Sequence, residues 1–200
     1  MSSNRLPLVL AESEPAALYL GRAPVLAEEL VKTLTARKKM IAAAESCTAG
    51  LAADFIARIP GASNVFWGSF VTYTADAKIK MLGVPEKLIK EHGAVSRPVA
   101  LAMAEGALEK SGACWAFSVT GLAGPGGDSG APMGTPAGVP TEIPVGTVWI
   151  GIAGRGAAAG PEAKVFLFSG SRNEIREAAA AVALQELLKR INRGVDKGEI

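Results

Sequence analysis

Short apolar runs of strand length alternate with helical patterns along most of this chain, and this alternation restricts the fold more than any other feature. Residues 40–45 (MIAAAE) are followed closely by 50–59 (GLAADFIARI), where apolar residues recur at helical spacing. Residues 145–154 and 163–170 predict two further strands, and 171–191 predict a long amphipathic helix. Strands that alternate with helices, followed by a terminal β-β-α unit, predict an α/β protein. We expect a three-layer α/β/α sandwich with a mixed, mostly parallel sheet.

The pattern predicts one globular domain with short ends. A length of 200 residues suits a single domain, and no internal repeat or linker divides the sequence. Residues 1–22 lack periodicity and are expected to form an irregular N-terminal arm. The domain itself is expected over residues 23–193, and residues 194–200 should fray.

Composition excludes several classes of function. The formal net charge is only +2 and the charges are dispersed, so nothing favours binding to nucleic acid. No apolar run approaches the roughly 20 residues that span a bilayer. Cys47 and Cys114 lack the spacing of metal ligands, and the single histidine, His92, excludes a multi-histidine site. We therefore expect no metal, no membrane, no nucleic acid, and reduced thiols in a cytoplasmic protein.

Four polar or Gly-rich sequences follow the predicted strands and are candidate walls of one binding site. They are ESCTAG, VTYTADAK, SVTGLAGPGG and SGSRNEIR. Ligands of open α/β sheets bind outside the carboxyl ends of the strands, so we expect these four segments to converge there.

Ser46, Cys47 and Thr48 stand where a strand passes into a helix. Ser46 is either the helix N-cap or a nucleophile whose oxyanion would be stabilised by nearby N–H groups. Thr48 could be the cap instead, which would leave Ser46 free, or it could contact a phosphate. Cys47 is either a small buried side chain or an alternative nucleophile.

A serine nucleophile needs a base, and Lys78 fits this role better than His92 does. His92 is expected to be solvated at a helix end. Lys78 lies about one turn into the helix after Tyr73, where desolvation would lower its pKa; the alternative is an ordinary surface lysine. Tyr73 is either an aromatic at the rim of the sheet or a proton relay.

Two further segments suggest contacts with an anion. The Gly-rich stretch 118–127 is neither a P-loop nor a dinucleotide fingerprint, yet it could present backbone N–H groups to a ligand. Arg172 and Arg176 stand one turn apart at the start of the last helix, where their charges oppose the helix dipole. An anion between them would compensate, and the alternative is two solvated arginines.

Together these residues resemble the CinA C-terminal domain family, whose characterised members are nicotinamide-nucleotide amidohydrolases (NMN deamidases). The resemblance covers residues 42–84, then HGAVS, SVTGLAGPGG, VGTVWIG and FSGSRNEIR, in order between about Pro24 and Ile191. It implies an α/β/α homodimer that needs neither metal nor cofactor. The implied substrate is a small pyridine mononucleotide: the carboxamide of nicotinamide mononucleotide is hydrolysed to nicotinate mononucleotide and ammonia.

The resemblance also implies roles for single residues. Ser46 would be the nucleophile, Lys78 the base and Tyr73 an aid to proton transfer. Together with the readings above, it yields a set of expected substrate-binding residues: Glu45, Cys47, Thr48, Thr120, Gly121, Gly124, Arg172 and Arg176. The sequence departs from the family pattern at Ala49, where the motif ESCTGG has glycine, at Thr120, where many members have serine, and in a longer loop at 128–144.

Three hypotheses follow. The first is an amidohydrolase with a Ser–Lys mechanism. The second, motivated by Ala49 and the long loop, is a module that binds or senses pyridine nucleotides without turnover. The third is an interaction protein associated with competence or DNA damage, which the sequence supports least because it has no basic patch.

Overall fold

The computed structural model describes residues 13–125, 143–156 and 160–193, which form a six-stranded sheet between two layers of helices. The strands are β1 (Glu14–Pro15), β2 (Ile41–Glu45), β3 (Phe66–Val71), β4 (Trp115–Gly121), β5 (Thr147–Gly154) and β6 (Glu162–Ser169). The helices are α1 (Ala23–Arg37), α2 (Leu51–Ala57), α3 (Ala75–Leu82), α4 (Glu86–His92), α5 (Arg97–Ser111) and α6 (Arg172–Arg193), with 3₁₀ helices at Ala16–Tyr19 and Ala62–Asn64.

The sheet has the order β1-β6-β5-β4-β2-β3. Strand β2 pairs in parallel with β3 and β4, and β1 pairs in parallel with β6. Strand β5 is antiparallel to both of its neighbours. The predicted mixed, mostly parallel sheet is therefore confirmed. Strand β3 has a bulge before Gly68, because Ile41 pairs with Phe66 and Ala42 already pairs with Gly68.

Alternation along β2 assigns the strand's residues to two helix layers. Ala42 and Ala44 pack in the cluster that includes residues of α3 and α5, whereas Ile41 and Ala43 pack with α1, α2 and α6. The next side chain in this alternation, that of Glu45, lies on the α2 side, where it bonds to the start of that helix.

The second half of the predicted N-terminal arm belongs to the fold. Residues 14–15 extend the sheet beside β6, and the following 3₁₀ helix packs against α6. Gly21 N donates to Glu177 Oε1 at 2.9 Å. A strand of two residues is too short to leave a periodic pattern, which is why the sequence predicts an irregular segment there. Residues 1–12, 194–200 and most of the predicted loop 128–144 lie outside the described residues.

Two helices are preceded by serines that play different roles. Ser171 and Glu174 form a capping box at the start of α6, in which Ser171 N donates to Glu174 Oε2 at 2.7 Å. Ser96 precedes α5, but its hydroxyl does not cap the helix and donates to Gly93 O at 2.9 Å.

Helix α3 lies very close to α5 at Gly106. A Cβ atom at this position would stand 2.2 Å from the carbonyl oxygen of Leu82, which belongs to α3. Only glycine allows this close approach between α3 and α5.

Candidate active site

The four segments predicted to form one site do converge, at the carboxyl ends of β2, β3 and β4 and the start of α6. They surround a cleft of about 290 Å³. The lining residues are Ser46, Cys47, Tyr73, Lys78, Ala94, Val95, Thr120, Gly121, Leu122, Ala123, Gly124 and Arg172. The cleft thus has a polar end at Ser46 and Lys78 and a cationic rim at Arg172.

Ser46 and Lys78 are in direct contact although 32 positions separate them in the chain. Lys78 Nζ lies 2.8 Å from Ser46 Oγ and 2.8 Å from the carbonyl oxygen of Thr72. The lysine is only 1% exposed, and no described carboxyl group forms an ion pair with it. Burial lowers its pKa from 10.5 to about 8. The alternative of an ordinary surface lysine is therefore wrong.

Three of the five N–H groups in the loop from Ser46 to Gly50 are hydrogen-bonded. Ser46 N donates to Val119 O, Ala49 N to Ser46 O, and Gly50 N to Glu45 Oε2, at 2.9–3.0 Å. The N–H groups of Cys47 and Thr48 donate to no oxygen among the described residues, and both lie beside the Cys47 sulfur. Buried N–H groups rarely lack a good acceptor, so this pair directly after Ser46 is suited to a ligand oxygen.

Glu45 performs the capping that the sequence assigned to Ser46 or Thr48. Its carboxyl group is fully buried and accepts N–H bonds from Gly50, Ala52 and Ala53 at 3.0–3.1 Å, and a hydroxyl bond from Ser69 at 2.9 Å. These bonds occupy the start of α2. The structure therefore gives Glu45 a supporting position under the loop, away from the cleft where a substrate contact was predicted.

Arg176 also lies elsewhere than predicted. Its Nε donates to Cys47 O at 3.1 Å and its Nη2 to Thr48 O at 3.0 Å, while Nη1 reaches Asn173 Oδ1 at 3.2 Å. Arg176 does not line the cleft. The anion predicted between Arg172 and Arg176 therefore has only Arg172 available to it.

Arg172 bridges the rim of the cleft. Its Nη2 donates to the Tyr73 hydroxyl at 2.7 Å, and its Nη1 donates to the carbonyl oxygen of Gly124. Tyr73 is 53% exposed, and its hydroxyl bonds to neither Ser46 nor Lys78. Tyr73 lines the cleft and holds Arg172 at the rim, and its role as a proton relay stays a prediction.

Thr120 and Gly121 shape the wall formed by β4. The Thr120 hydroxyl donates to Ala94 O at 2.8 Å, so the threonine in place of the family's serine is already bonded within the protein. A Cβ at Gly121 would lie 2.7 Å from Thr147 O. Glycine is therefore required here, because the backbone packs closely against the start of β5.

Three other residues considered in the sequence analysis are distinguished by how exposed they are. Cys47 is 5% exposed, and burial raises the pKa of its thiol to about 12, which leaves it a packing residue and not a nucleophile. Thr48 is fully buried, and its hydroxyl has no hydrogen-bond partner in the part of the chain that the structure describes. His92 ends α4 on the surface, as predicted.

Ala49, which departs from the family motif, adopts a left-handed backbone with φ of 51°. This conformation costs a residue with a side chain about 1 kcal/mol relative to glycine. We expect Ala49→Gly to raise the free energy of unfolding by about 1 kcal/mol in a urea titration. Ala36→Gly, at an exposed and ordinary helical position of α1, is the control and should lower it. Equal losses in the two variants would contradict this prediction.

Neither a membrane span nor a metal cluster is found in the described ranges. No helix there is both long and apolar enough to cross a bilayer. Those same ranges contain no group of three or more side chains suited to hold a metal ion.

Curated relatives match more than four fifths of this chain. The chain is 46% identical over 173 residues to a "Putative competence-damage inducible protein" of Symbiobacterium thermophilum, which is 84% of this chain and 38% of that protein. It is 42% identical over 163 residues to the "Nicotinamide-nucleotide amidohydrolase PncC" of Escherichia coli, which is 81% of this chain and 90% of that protein. The chain spans 37–39% of the length of several of the relatives that it matches.

Solved structures share the fold. The "competence/damage inducible protein CihA" of Agrobacterium tumefaciens superposes with a TM-score of 0.75 at 38% identity, covering 86% of this chain and 97% of that one. The model of the CinA C-terminal domain matches residues 24–191, which include every residue that lines the cleft. Because the family model covers most of the chain and these relatives are more than 40% identical to it, this chain belongs to the CinA C-terminal domain family.

Proposed function

We propose that this protein hydrolyses the carboxamide of nicotinamide mononucleotide to nicotinate mononucleotide and ammonia. The observation that carries the proposal is the 2.8 Å contact between Ser46 Oγ and a buried Lys78 with a lowered pKa, at the base of an open cleft. The similarity to an enzyme named nicotinamide-nucleotide amidohydrolase supports the choice of amide.

The acylation step uses Lys78 as the general base. A neutral lysine has two N–H groups and one lone pair. One N–H is held by Thr72 O, so the lone pair is free to take the Ser46 proton as Oγ attacks the carboxamide carbon. When the tetrahedral intermediate collapses, the C–N bond breaks and the lysine gives this proton to the leaving nitrogen, which departs as ammonia.

Deacylation repeats the same proton path with water. Lys78 takes a proton from a water molecule that attacks the acyl carbon, and it returns the proton to Ser46 Oγ as the ester bond breaks. In both steps the negative oxygen would be bound by the N–H groups of Cys47 and Thr48, which lack an oxygen acceptor among the described residues.

Arg172 is the group best placed to bind the phosphate of the nucleotide. It is exposed at the rim, and its guanidinium can exchange its bonds to Tyr73 and Gly124 for phosphate oxygens. The Gly-rich turn at 121–124 would hold the ribose. We further propose, from the family resemblance, a cytoplasmic homodimer that needs no cofactor.

Incubation of the protein with nicotinamide mononucleotide tests this function. Ammonia and nicotinate mononucleotide should appear in equal amounts, and Ser46→Ala should lower kcat by about 1,000-fold or more. Ser63→Ala, at an exposed position that does not line the cleft, is the control and should keep full activity. Ammonia release that survives Ser46→Ala would overturn the mechanism.

Calorimetry on the same samples distinguishes the amidohydrolase from the alternative, a nucleotide-binding module without turnover. Binding heat without ammonia would establish the module and reject the amidohydrolase. The strained backbone at Ala49 is the observation behind this alternative. The Ser46–Lys78 contact forms in the presence of that alanine, which favours the enzyme.

The activity should rise with pH through a midpoint near 8. Only the neutral lysine can accept the serine proton, and with a pKa of about 8 roughly a tenth of Lys78 is neutral at pH 7. A profile of kcat/KM from pH 6 to 10 should therefore show an ascending limb governed by one group. A flat profile over this range would contradict Lys78 as the base.

A further inference from the structure

We propose that Arg176 is a positioning residue that fixes the loop of residues 46–50, so that the N–H groups beside Ser46 stay directed at the reacting oxygen. This inference rests on the proposed Ser46 chemistry, and it gives Arg176 a role different from substrate binding.

The guanidinium of Arg176 is committed to the loop. It donates to two successive carbonyl oxygens, those of Cys47 and Thr48, and its remaining described contact is the amide of Asn173. Arg176 reaches the loop from α6, on one face of the sheet, whereas Lys78 reaches Ser46 from α3 on the other face.

Because a peptide group is planar, these two hydrogen bonds also fix the directions of the N–H groups on the same peptides. In a trans peptide the C=O and N–H bonds point in opposite directions. Because Arg176 Nε holds Cys47 O, the N–H of Thr48 on that same peptide points away from the guanidinium. The next peptide has Thr48 O on Arg176 Nη2, and its N–H, from Ala49, donates to Ser46 O at 3.0 Å.

The charge of Arg176 adds to its geometric effect. A cation bonded to a peptide oxygen polarises that peptide, and its N–H becomes a stronger donor. The peptide so affected carries the N–H of Thr48, one of the two N–H groups that have no oxygen acceptor in the described residues. Arg176 therefore both orients and strengthens a donor for the oxyanion, although it does not line the cleft itself.

Kinetics of Arg176→Ala and Arg176→Lys test the proposal, with Arg37→Ala as a matched control. Arg37 likewise donates to a backbone carbonyl, Ile191 O at 2.7 Å, and to an asparagine, Asn192 Oδ1 at 2.7 Å, far from the cleft. We expect Arg176→Ala to lower kcat by about 10- to 100-fold with KM within about threefold of wild type. Arg176→Lys, which keeps the charge but offers one donor nitrogen, should recover part of the loss.

Two kinetic outcomes would overturn the inference. A rise in KM with kcat unchanged would make Arg176 a substrate-binding residue. A kcat loss equal to that of Arg37→Ala, with an equal fall in melting temperature, would make its role one of general stability.

A covalent probe separates this inference from the identity of the substrate. Diisopropyl fluorophosphate forms a bond between its phosphorus and a nucleophilic serine oxygen, releases fluoride, and places its P=O oxygen where the oxyanion would lie. Labelling of Ser46, followed by intact mass, should be about tenfold slower in Arg176→Ala than in Arg37→Ala or wild type.

The combined results distinguish the possible failures. Slower labelling in Arg176→Ala, in a protein that does not hydrolyse nicotinamide mononucleotide, would keep the positioning role and reject the proposed substrate. Equal labelling rates would reject the positioning role. No labelling and no turnover in wild type would show that Ser46 is not a nucleophile and would overturn both.

Discussion

Lys78→Met is expected to lower kcat for amide hydrolysis by about 1,000-fold or more and to remove the ascending limb of the pH profile. Methionine has a similar length and fills the same buried space, but it cannot accept a proton from Ser46 Oγ, which lies 2.8 Å from Nζ in the wild type. Steady-state kinetics from pH 6 to 10 would measure both effects. Lys80→Met, at an exposed position of the same helix, is the control and should keep the wild-type rate and profile.

The wild type and Lys78→Met should also differ in how their free energy of unfolding depends on pH. The pKa of Lys78 is about 8 in the folded protein and 10.5 in the unfolded chain, so between these values the unfolded chain binds more protons. The free energy of unfolding of the wild type should therefore rise across this window, by up to about 3 kcal/mol, relative to that of Lys78→Met. Cys47 also titrates in both proteins, and the difference between them contains the lysine together with its interaction with Cys47. Parallel curves would show that Lys78 is not buried as described.

Glu45→Ala is expected to lower the free energy of unfolding by about 3–4 kcal/mol. The substitution leaves three N–H groups and the Ser69 hydroxyl without the acceptor that they share in a fully buried position. Urea titration at pH 7 would measure the loss. Since the loop after Ser46 rests on these bonds, kcat should also fall at temperatures where the variant remains folded.

Two substitutions calibrate the Glu45 result. Glu45→Gln keeps the shape and one acceptor oxygen, and should lose less than alanine does. Glu28→Ala, on the exposed face of α1, should change stability by less than about 0.5 kcal/mol. A loss for Glu45→Ala no greater than that of Glu28→Ala would mean that the start of α2 is stabilised by other groups.

The sequence predicts the fold class and the place of the site because both depend on periodicity and on strand ends. Ser46 and Lys78 follow two different strands, and the parallel order of β2 and β3 brings their ends together. A two-residue strand such as β1 leaves no periodic signal and is missed. Long helices and strands can thus be predicted from the sequence. The contact between two residues that are distant in the chain can be predicted where the order of the strands requires it.

The supporting contacts of the site could not be predicted, because they depend on where long side chains end. Glu45 and Arg176 both have residue types that suit a substrate contact, yet one reaches the start of α2 and the other reaches two carbonyls of the loop. The pattern does not encode which backbone groups lack partners, and those groups determine the positions of these two side chains. Glycine in the family motif at position 49 was an available signal for a left-handed residue.

Lys78, which is buried and forms no ion pair with a described carboxyl group, should also affect the release of the product. Hydrolysis turns a neutral amide into a carboxylate, and that new charge arises beside Lys78. Below pH 8 the lysine is protonated in most molecules, and its ammonium, buried at the base of the cleft, would attract the product carboxylate strongly. The product should therefore leave slowly in acid and rapidly in mild base, which makes product inhibition, as well as chemistry, a limit on turnover at low pH.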